Sequence, residues 1–548
     1  MTITWDAPAG GLWALEALHL PGAVPRLLQE RVPEALQRGF QPASQRYGLP
    51  IDYLEFRFVN DHCYARMRVV GAPDPKPGKE TTAPPGAVLW LLSRLHPALR
   101  RRAKAAERAL AERIWHHDLA RWEGELKGDM LLTGRALQAE DVTALSDDEL
   151  IDHLGRAADH LARGMEIHFD LVAVHNIPLG RLVALTRRHG IADVDALALL
   201  AGSSPASTAS AEELAPIARA CRAAGVDPQS LDDVRAAGPE AAAALEAYLA
   251  DHAWRLITQY SPRGQALIEL PDLLVQAIRR AGDATERPEP DAAAIRGRVA
   301  EADRAQFDDL LADARRCYGI RDDNVGLTWM WPVGLVRRAI LEAGRRLVER
   351  GQIDDREQAF ALGEQELAAA LRGDASMGAE AMARAERGAE AEAAGAPAAL
   401  GWSEGDDPDP KVFPKAMAEL TAAIIDTLEL EGMEPDGSPA VWTGDGVGVG
   451  SEPYTGRACV AASPEEALAR LEPGDVLVTP MTTPAYEAIM PIAGALVTEQ
   501  GGLISHAALV ARELGLPAVV GVAGATATIP DGAKVEVDPT SGRVRVDV

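Results

Sequence analysis

Two incompatible hydrophobic rhythms divide this chain. Between about residues 86 and 372, apolar side chains recur at i, i+3 and i+4 in sequence rich in Ala, Leu, Arg and Glu, which predicts a large helical domain. From residue 444 to 548 the pattern becomes short Val-rich runs between glycine turns, with two helical stretches, which predicts an α/β unit. One core cannot serve both patterns, and 548 residues exceed an ordinary single domain, so the predicted class is multidomain α + α/β.

The remaining segments set the boundaries. Tyr53 to Val70 alternates as two half-buried strands with a turn at Asn60-Asp61, so 1–88 is read as a small α/β segment and 89–372 as the helical domain. Residues 373–412 turn to Ala, Glu and Gly, ending Gly405-Asp-Asp-Pro-Asp-Pro410, and are read as a flexible linker, with a partly helical form as the alternative, for want of large apolar groups. A connecting helix (413–439) and a C-terminal domain (440–548) follow. Ser146 with Glu149, and Ser210 with Glu213, have the form of capping boxes at helix starts.

Charge and cysteine content exclude several functions. With 82 acidic and 55 basic residues the formal charge is −27, which argues against a nucleic-acid or anionic-membrane partner. The basic run Arg100, Arg101, Arg102 and Lys104 is read as a solvated helix face. Cys63, Cys221, Cys317 and Cys459 lie too far apart for a zinc motif or a disulfide framework, so no metal is expected in this chain. With no signal-type N-terminus and no apolar run near the ~18 residues of a membrane span, a cytoplasmic location is expected.

The sharpest chemistry lies in Gly501-Gly-Leu-Ile-Ser-His-Ala-Ala-Leu-Val-Ala-Arg-Glu-Leu-Gly-Leu-Pro517. Gly501 and Gly502 allow positive φ and close backbone approach, and Ser505-His506 stands where a helix should begin. An imidazole there meets unsatisfied amides and the positive end of the helix dipole, which favour a phosphate. Histidine supplies a neutral nucleophilic nitrogen at cellular pH, and its N–P bond passes the group on. The bland alternative, an ordinary helix-cap histidine, explains none of the neighbouring residues.

This segment resembles the phosphohistidine signature of the phosphoenolpyruvate-utilising mobile domain shared by phosphoenolpyruvate synthase, pyruvate phosphate dikinase and rifampin phosphotransferase. The resemblance extends over Pro473–Val478, Thr482-Thr-Pro484, Ala495–Glu499, and Asp531–Asp538 with Gly542. It implies a β/β/α swivelling domain with His506 as phosphoacceptor, supported by Gly501, Gly502, Ser505 and Arg512. In these families an ATP-grasp domain charges the histidine, so ATP and magnesium are expected on a partner ATP-grasp subunit resembling the N-terminal part of phosphoenolpyruvate synthase. No cofactor is expected on this chain alone. Only 42 residues follow His506, so the barrel domain used in pyruvate chemistry is not expected here.

The order of a helical domain followed by the histidine domain is similar to rifampin phosphotransferase, and Arg315–Asn324 with 339–371 resemble that family's acceptor-domain stretch. By this resemblance 89–372 binds a small organic acceptor, Arg321 lies beside the transfer site, and Arg263 is a weaker match. Val325 replaces a family lysine, which argues against a rifamycin acceptor. His153, His160, His168 and His175 fall near one helical face at two-turn spacing, unsuited to sharing an ion; His168 or His175 is the candidate base in an acceptor pocket.

Trp329 and Trp331 suit a core as well as an acceptor pocket, and neither Gly71–Lys79 nor Gly446–Gly450 has the spacing of a nucleotide loop. The expected function is a dikinase-type phosphotransferase subunit; the alternative is a non-enzymatic phosphocarrier or regulatory protein whose helical domain recognises a protein partner.

Overall fold

The computed structural model describes residues 3–16, 19–72, 81–82, 84–204, 206–281, 292–401, 403–404, 409–432 and 445–547. It is a multidomain assembly of a large helical body and a C-terminal mixed sheet.

Near the N-terminus, strands β1 (Leu12–Leu15), β2 (Ile51–Val59) and β3 (His62–Val69) join β4 (Ala399–Gly401) in an antiparallel sheet of order β2-β3-β1-β4. Asn60 and Asp61, with φ of 48° and 63°, make the predicted β2–β3 turn; two left-handed residues match the twist of a two-residue hairpin. This segment is not independent. Helix α1 (Arg26–Tyr47) buries Leu27, Leu28, Val32 and Leu36, and its partner is α2 (Asp147–Leu171) of the helical body.

Three further helices carry the argument. Helix α3 (Ala173–Arg188) packs against α4 (Arg304–Tyr318), and α5 (Trp331–Glu349) packs on α2. Trp329 and Trp331 are core residues, their indole N–H groups donating to the Tyr260 carbonyl and to Gln138 Oε1, each at 3.0 Å. Ser146 and Glu149 form the expected capping box at the start of α2. Ser210 does not start a helix: Ala206–Ala223 is already helical there, and Glu213 pairs with His252 at 2.9 Å. In the basic run, Arg102 is buried against Asp52 at 2.8 Å, whereas Arg100, Arg101 and Lys104 are exposed.

The expected linker differs from the sequence reading in being packed into the body. Residues Ala375–Ala394 form a 20-residue helix, α6, and β4 follows it into the N-terminal sheet. Alanine is the best helix former, and its small side chains let α6 approach its neighbours closely. Ala381 and Ala391 are buried, and Arg384 grips Glu366 at 2.8 and 2.9 Å. Residues 405–408 of the acidic Pro-Gly stretch lie outside the described residues.

Helix α7 (Lys415–Glu431) lies along α3, where a Cβ on Gly180 would stand 1.9 Å from the Ala423 carbonyl oxygen; the two backbones meet because that side chain is absent. Thr427 Oγ1 donates to the Asn176 carbonyl at 3.0 Å across the same contact. The covalent path from α7 to the C-terminal domain runs through residues 433–444, outside the described residues.

The C-terminal sheet comprises β5 (Val447–Val449), β6 (Tyr454–Val460), β7 (Val476–Thr479), β8 (Ala495–Thr498), β9 (Ala518–Val520), β10 (Lys534–Asp538) and β11 (Arg543–Asp547). Its order is β11-β10-β6-β7-β8-β9-β5, parallel from β6 to β9 and antiparallel at both sides. Strands β7, β8 and β9 are buried throughout, as the continuous Val, Leu and Ala runs of covered parallel strands require. Among the described residues no helix is long and apolar enough to cross a membrane.

Candidate functional site

In an open parallel sheet, ligands gather outside the carboxyl ends of the strands. Here the loops leaving β7 and β8 meet at that end: the first carries Thr482, the second runs through Gly501 and Gly502 into helix α8 (His506–Leu514). Ser505 is the N-cap, its Oγ accepting from the Ala508 N–H at 3.3 Å, so His506 occupies the first helical position. First-turn amides have no partner within a helix, which leaves positive potential around the imidazole.

The ring is held from outside its own loop. Thr482 Oγ1 lies 2.9 Å from His506 Nδ1, and Thr482 is buried while His506 keeps part of its surface. If Nδ1 donates its proton to Thr482, Nε2 carries the lone pair and is the nucleophile. Thr482→Val should therefore slow phosphorylation of His506 by about three- to tenfold, the effect of a net hydrogen bond of ~0.5–1.5 kcal/mol, and Thr482→Ser should restore most of it in initial-rate labelling.

The two glycines meet different constraints. Gly501 has φ +110°, a conformation open to glycine. A Cβ on Gly502 would stand 2.3 Å from the Leu430 carbonyl oxygen and 2.5 Å from the Gly432 nitrogen, so this glycine seats the loop on the C-terminal end of α7. Ile504 N–H completes the contact by donating to the Leu430 carbonyl at 3.1 Å. Gly502→Val should cost about 1–3 kcal/mol by overpacking, measured as faster hydrogen exchange over residues 501–509.

Around this seat the helical body gathers charge. Arg321, on the short helix Ile320–Val325, places Nε 3.7 Å from Glu431 Oε1 at the end of α7 and Nη1 3.7 Å from Asp322 Oδ1. Burial opposes the Arg321 charge, but the carboxylates of Asp322 and Glu431 outweigh it and hold the guanidinium protonated. Arg512 donates from Nη2 to the Leu503 carbonyl at 2.8 Å; burial weakens its hold on its proton, and it lies within the field of Tyr318, Glu513 and Arg321. Two of the sequence-predicted arginines therefore converge, one from each side of the docked interface.

Three buried polar atoms here have no hydrogen-bond partner among the described residues: Arg512 Nε, Tyr318 Oη and Thr483 Oγ1. Burial pushes the Tyr318 hydroxyl up to about 12, so it is a neutral donor. Buried groups without partners are uncommon, and the Tyr318 and Arg512 donors, which share one electrostatic neighbourhood with Arg321, suit an anionic ligand such as a phosphoryl group.

His168 and His175 belong to the same region. His175 is held down to about 3 by burial and then by Arg321, while burial, with His19 and His175 next, holds His168 well below the usual imidazole range. His168 is nearly enclosed, its Nδ1 3.5 Å from Thr328 Oγ1. Of the other two histidines in the series, His153 pairs with Glu140 at 2.9 Å, and burial brings His160 to about 4. Arg263 is exposed, its Nε 3.4 Å from the Ala23 carbonyl and its guanidinium over the Phe360 ring. Val325 packs against the helical core, giving an apolar side chain at the position where the resemblance has lysine. Among the described residues no group of His, Cys, Asp or Glu is arranged to hold a metal ion.

Tyr318 and Glu431 were not singled out from sequence, and Thr482 was read there only as part of the Thr482-Thr-Pro484 turn that carries the resemblance, with no role at the site. Thr482 had one local signal, a polar Thr-Thr-Pro turn directly after an apolar strand; Tyr318 and Glu431 reach the site only through tertiary packing.

Residues 471–542 match the family model described as PEP-utilising enzyme, mobile domain. The chain is 32% identical over 243 residues to the uncharacterized phosphotransferase YvkC of Bacillus subtilis, covering 44% of this chain and 27% of that protein. It is 46% identical over 101 residues to rifampicin phosphotransferase of Bacillus cereus, covering 18% of this chain and 11% of the relative. It is 52% identical over 90 residues to phosphoenolpyruvate synthase of Aeropyrum pernix, covering 16% of this chain and 11% of the relative. The chain thus spans less than a third of the length of each of these relatives. The YvkC match is longer than the whole C-terminal domain, so it extends into the helical body. Residues 471–542 are thus similar to the mobile domain of PEP-utilising enzymes, and the relatives that parts of the chain resemble are named phosphotransferases and phosphoenolpyruvate synthase.

Proposed function

We propose that His506 Nε2 carries a phosphoryl group from an ATP-grasp donor to a small organic acceptor bound in the helical body, in a dikinase-type phosphotransferase. The observation that supports this most is the placement of His506. Its imidazole stands at the first position of α8 with Nδ1 held by Thr482, and the loop that carries it is seated on the end of α7, whose Glu431 pairs with Arg321.

The donor supplies ATP and magnesium, and the family chemistry implies AMP and inorganic phosphate as co-products. Transfer to His506 forms a P–N bond that the first-turn amides of α8 and the guanidiniums stabilise. Transfer onward concentrates charge on the three phosphoryl oxygens, which Arg321 and Arg512 would neutralise. With α6 folded into the body, movement of the histidine between donor and acceptor does not use residues 375–394. Val325 packs into the core where the resemblance has lysine, so the acceptor differs from one that relies on a lysine there.

The test is to incubate the chain with candidate ATP-grasp proteins and radiolabelled ATP. Acid-labile, base-stable label on this chain, dependent on the donor and on magnesium, is the expected result; label stable to acid would overturn the reading.

A further inference from the structure

Near the end of α7, on which the His506 loop sits, lies a carboxylate–imidazole pair, Glu16 and His19, that the proposed transfer leaves unused. Glu16 directly follows β1, and the sheet fixes its backbone: Leu15 N–H donates to the Ala398 carbonyl at 2.8 Å and Glu16 N–H to the Cys63 carbonyl at 2.9 Å. Glu16 Oε1 accepts from the His19 backbone N–H at 2.9 Å and lies 3.2 Å from His19 Nδ1. A carboxylate on Nδ1 fixes that nitrogen as the donor and leaves the lone pair on Nε2.

The ring is held at its flanks as well. His168 meets it edge-on with centroids 5.4 Å apart, and Phe169 lies at 5.1 Å. The His19 side chain nevertheless keeps 24% of its surface, beside 18% for Arg321 and 19% for Glu431, so all three can be reached from solvent. The charged and titratable groups facing His19 are Glu16 on its own segment, His168 from α2 and Glu431 from α7. Glu431 is also the partner of Arg321 and ends the helix on which the His506 loop sits. One carboxylate therefore links the His19 pair to the phosphoryl-binding arginine.

We propose that His19, oriented by Glu16, is the general base of the acceptor pocket, and that the acceptor is a neutral hydroxyl compound. This rests on His506 being the carrier. The hydroxyl oxygen attacks phosphorus and a P–O bond forms, while the P–Nε2 bond of phosphorylated His506 breaks and its electron pair returns to the ring nitrogen. The hydroxyl proton passes to His19 Nε2, and Glu16 stabilises the resulting imidazolium. A carboxylate acceptor loses no proton and would need no such pair.

His19 suits this role better than His168 or His175. At those two residues burial opposes the charged form, with His19 and His175 adding to it at His168 and Arg321 at His175. At His19, burial is outweighed by Glu16 and Glu431, which raise its basicity toward the range where a general base works at neutral pH.

The test uses the full chain phosphorylated with potassium phosphoramidate, which modifies imidazoles without a protein donor. Loss of the phosphoryl group from His506, to water and to added glycerol, is followed between pH 6 and 9 in the wild type, His19→Gln and Glu16→Gln. The wild-type rate should climb with pH as His19 loses its proton and then level off. His19→Gln should remove the step and slow the plateau by about tenfold or more; Glu16→Gln should move the step to lower pH. Matching pH profiles in the wild type and His19→Gln would overturn the assignment. Failure of phosphoramidate to modify His506 at all would instead remove the carrier reading on which it depends.

Discussion

Replacing His506 with alanine is expected to abolish acid-labile phosphorylation of the chain while leaving its thermal unfolding close to that of the wild type. The ring is half-buried at the first turn of α8, and the Ser505 cap, the Gly502 seat on α7 and the Ile504 hydrogen bond do not depend on it. Removing a partly exposed side chain at such a position costs little stability, whereas no other group in the loop offers a nucleophilic nitrogen. The comparison requires both readouts on one preparation: label by acid and base stability, and folding by calorimetry. Label retained at the wild-type level in a folded His506→Ala chain would mean that phosphorylation occurs elsewhere.

Arg321→Ala should carry the second-largest effect. A guanidinium placed on developing phosphoryl charge is worth about 10²–10³ in rate, comparable to losing one preorganised donor of an oxyanion site, or roughly 2.7–4 kcal/mol. Its loss also leaves the Glu431 carboxylate without its cation, facing a site meant for an anion. Onward transfer from phosphorylated His506 should therefore fall by about two orders of magnitude or more. Arg321→Lys should recover part of the rate, since it restores charge but not the planar fork. Single-turnover measurement of phosphohistidine decay separates this step from charging by the donor, and an unchanged decay rate would remove Arg321 from the transfer site.

Several features of the site were legible because each rests on a local rule. Two adjacent residues able to take positive φ mark the Asn60-Asp61 hairpin, and a serine with a glutamate three residues on marks the start of α2. Ser505 before an alanine-rich helix places His506 at the first turn without any knowledge of the tertiary fold. The Ser210 reading fails by the same reasoning, since nothing near that serine indicates that the helix has already begun at Ala206.

What stayed hidden is long-range. Helix α6 has few large apolar side chains, and its order comes from alanine faces and the Arg384–Glu366 pair meeting surfaces supplied by other segments. The Glu16–His19 pair, Arg321 and Glu431 stand far apart in the sequence, and only tertiary packing brings their fields together. The same holds for Gly502, whose spacing suggests backbone freedom for a ligand but whose missing Cβ is filled by the end of α7.

Phosphorus-31 and nitrogen-15 NMR of the phosphorylated chain, with its histidine rings labelled, reads the carrier atom directly. The account predicts a single phosphohistidine with one-bond coupling to Nε2 of His506, its Nδ1 still protonated and bonded to Thr482. Phosphorus on Nδ1, or on any residue other than His506, would contradict it.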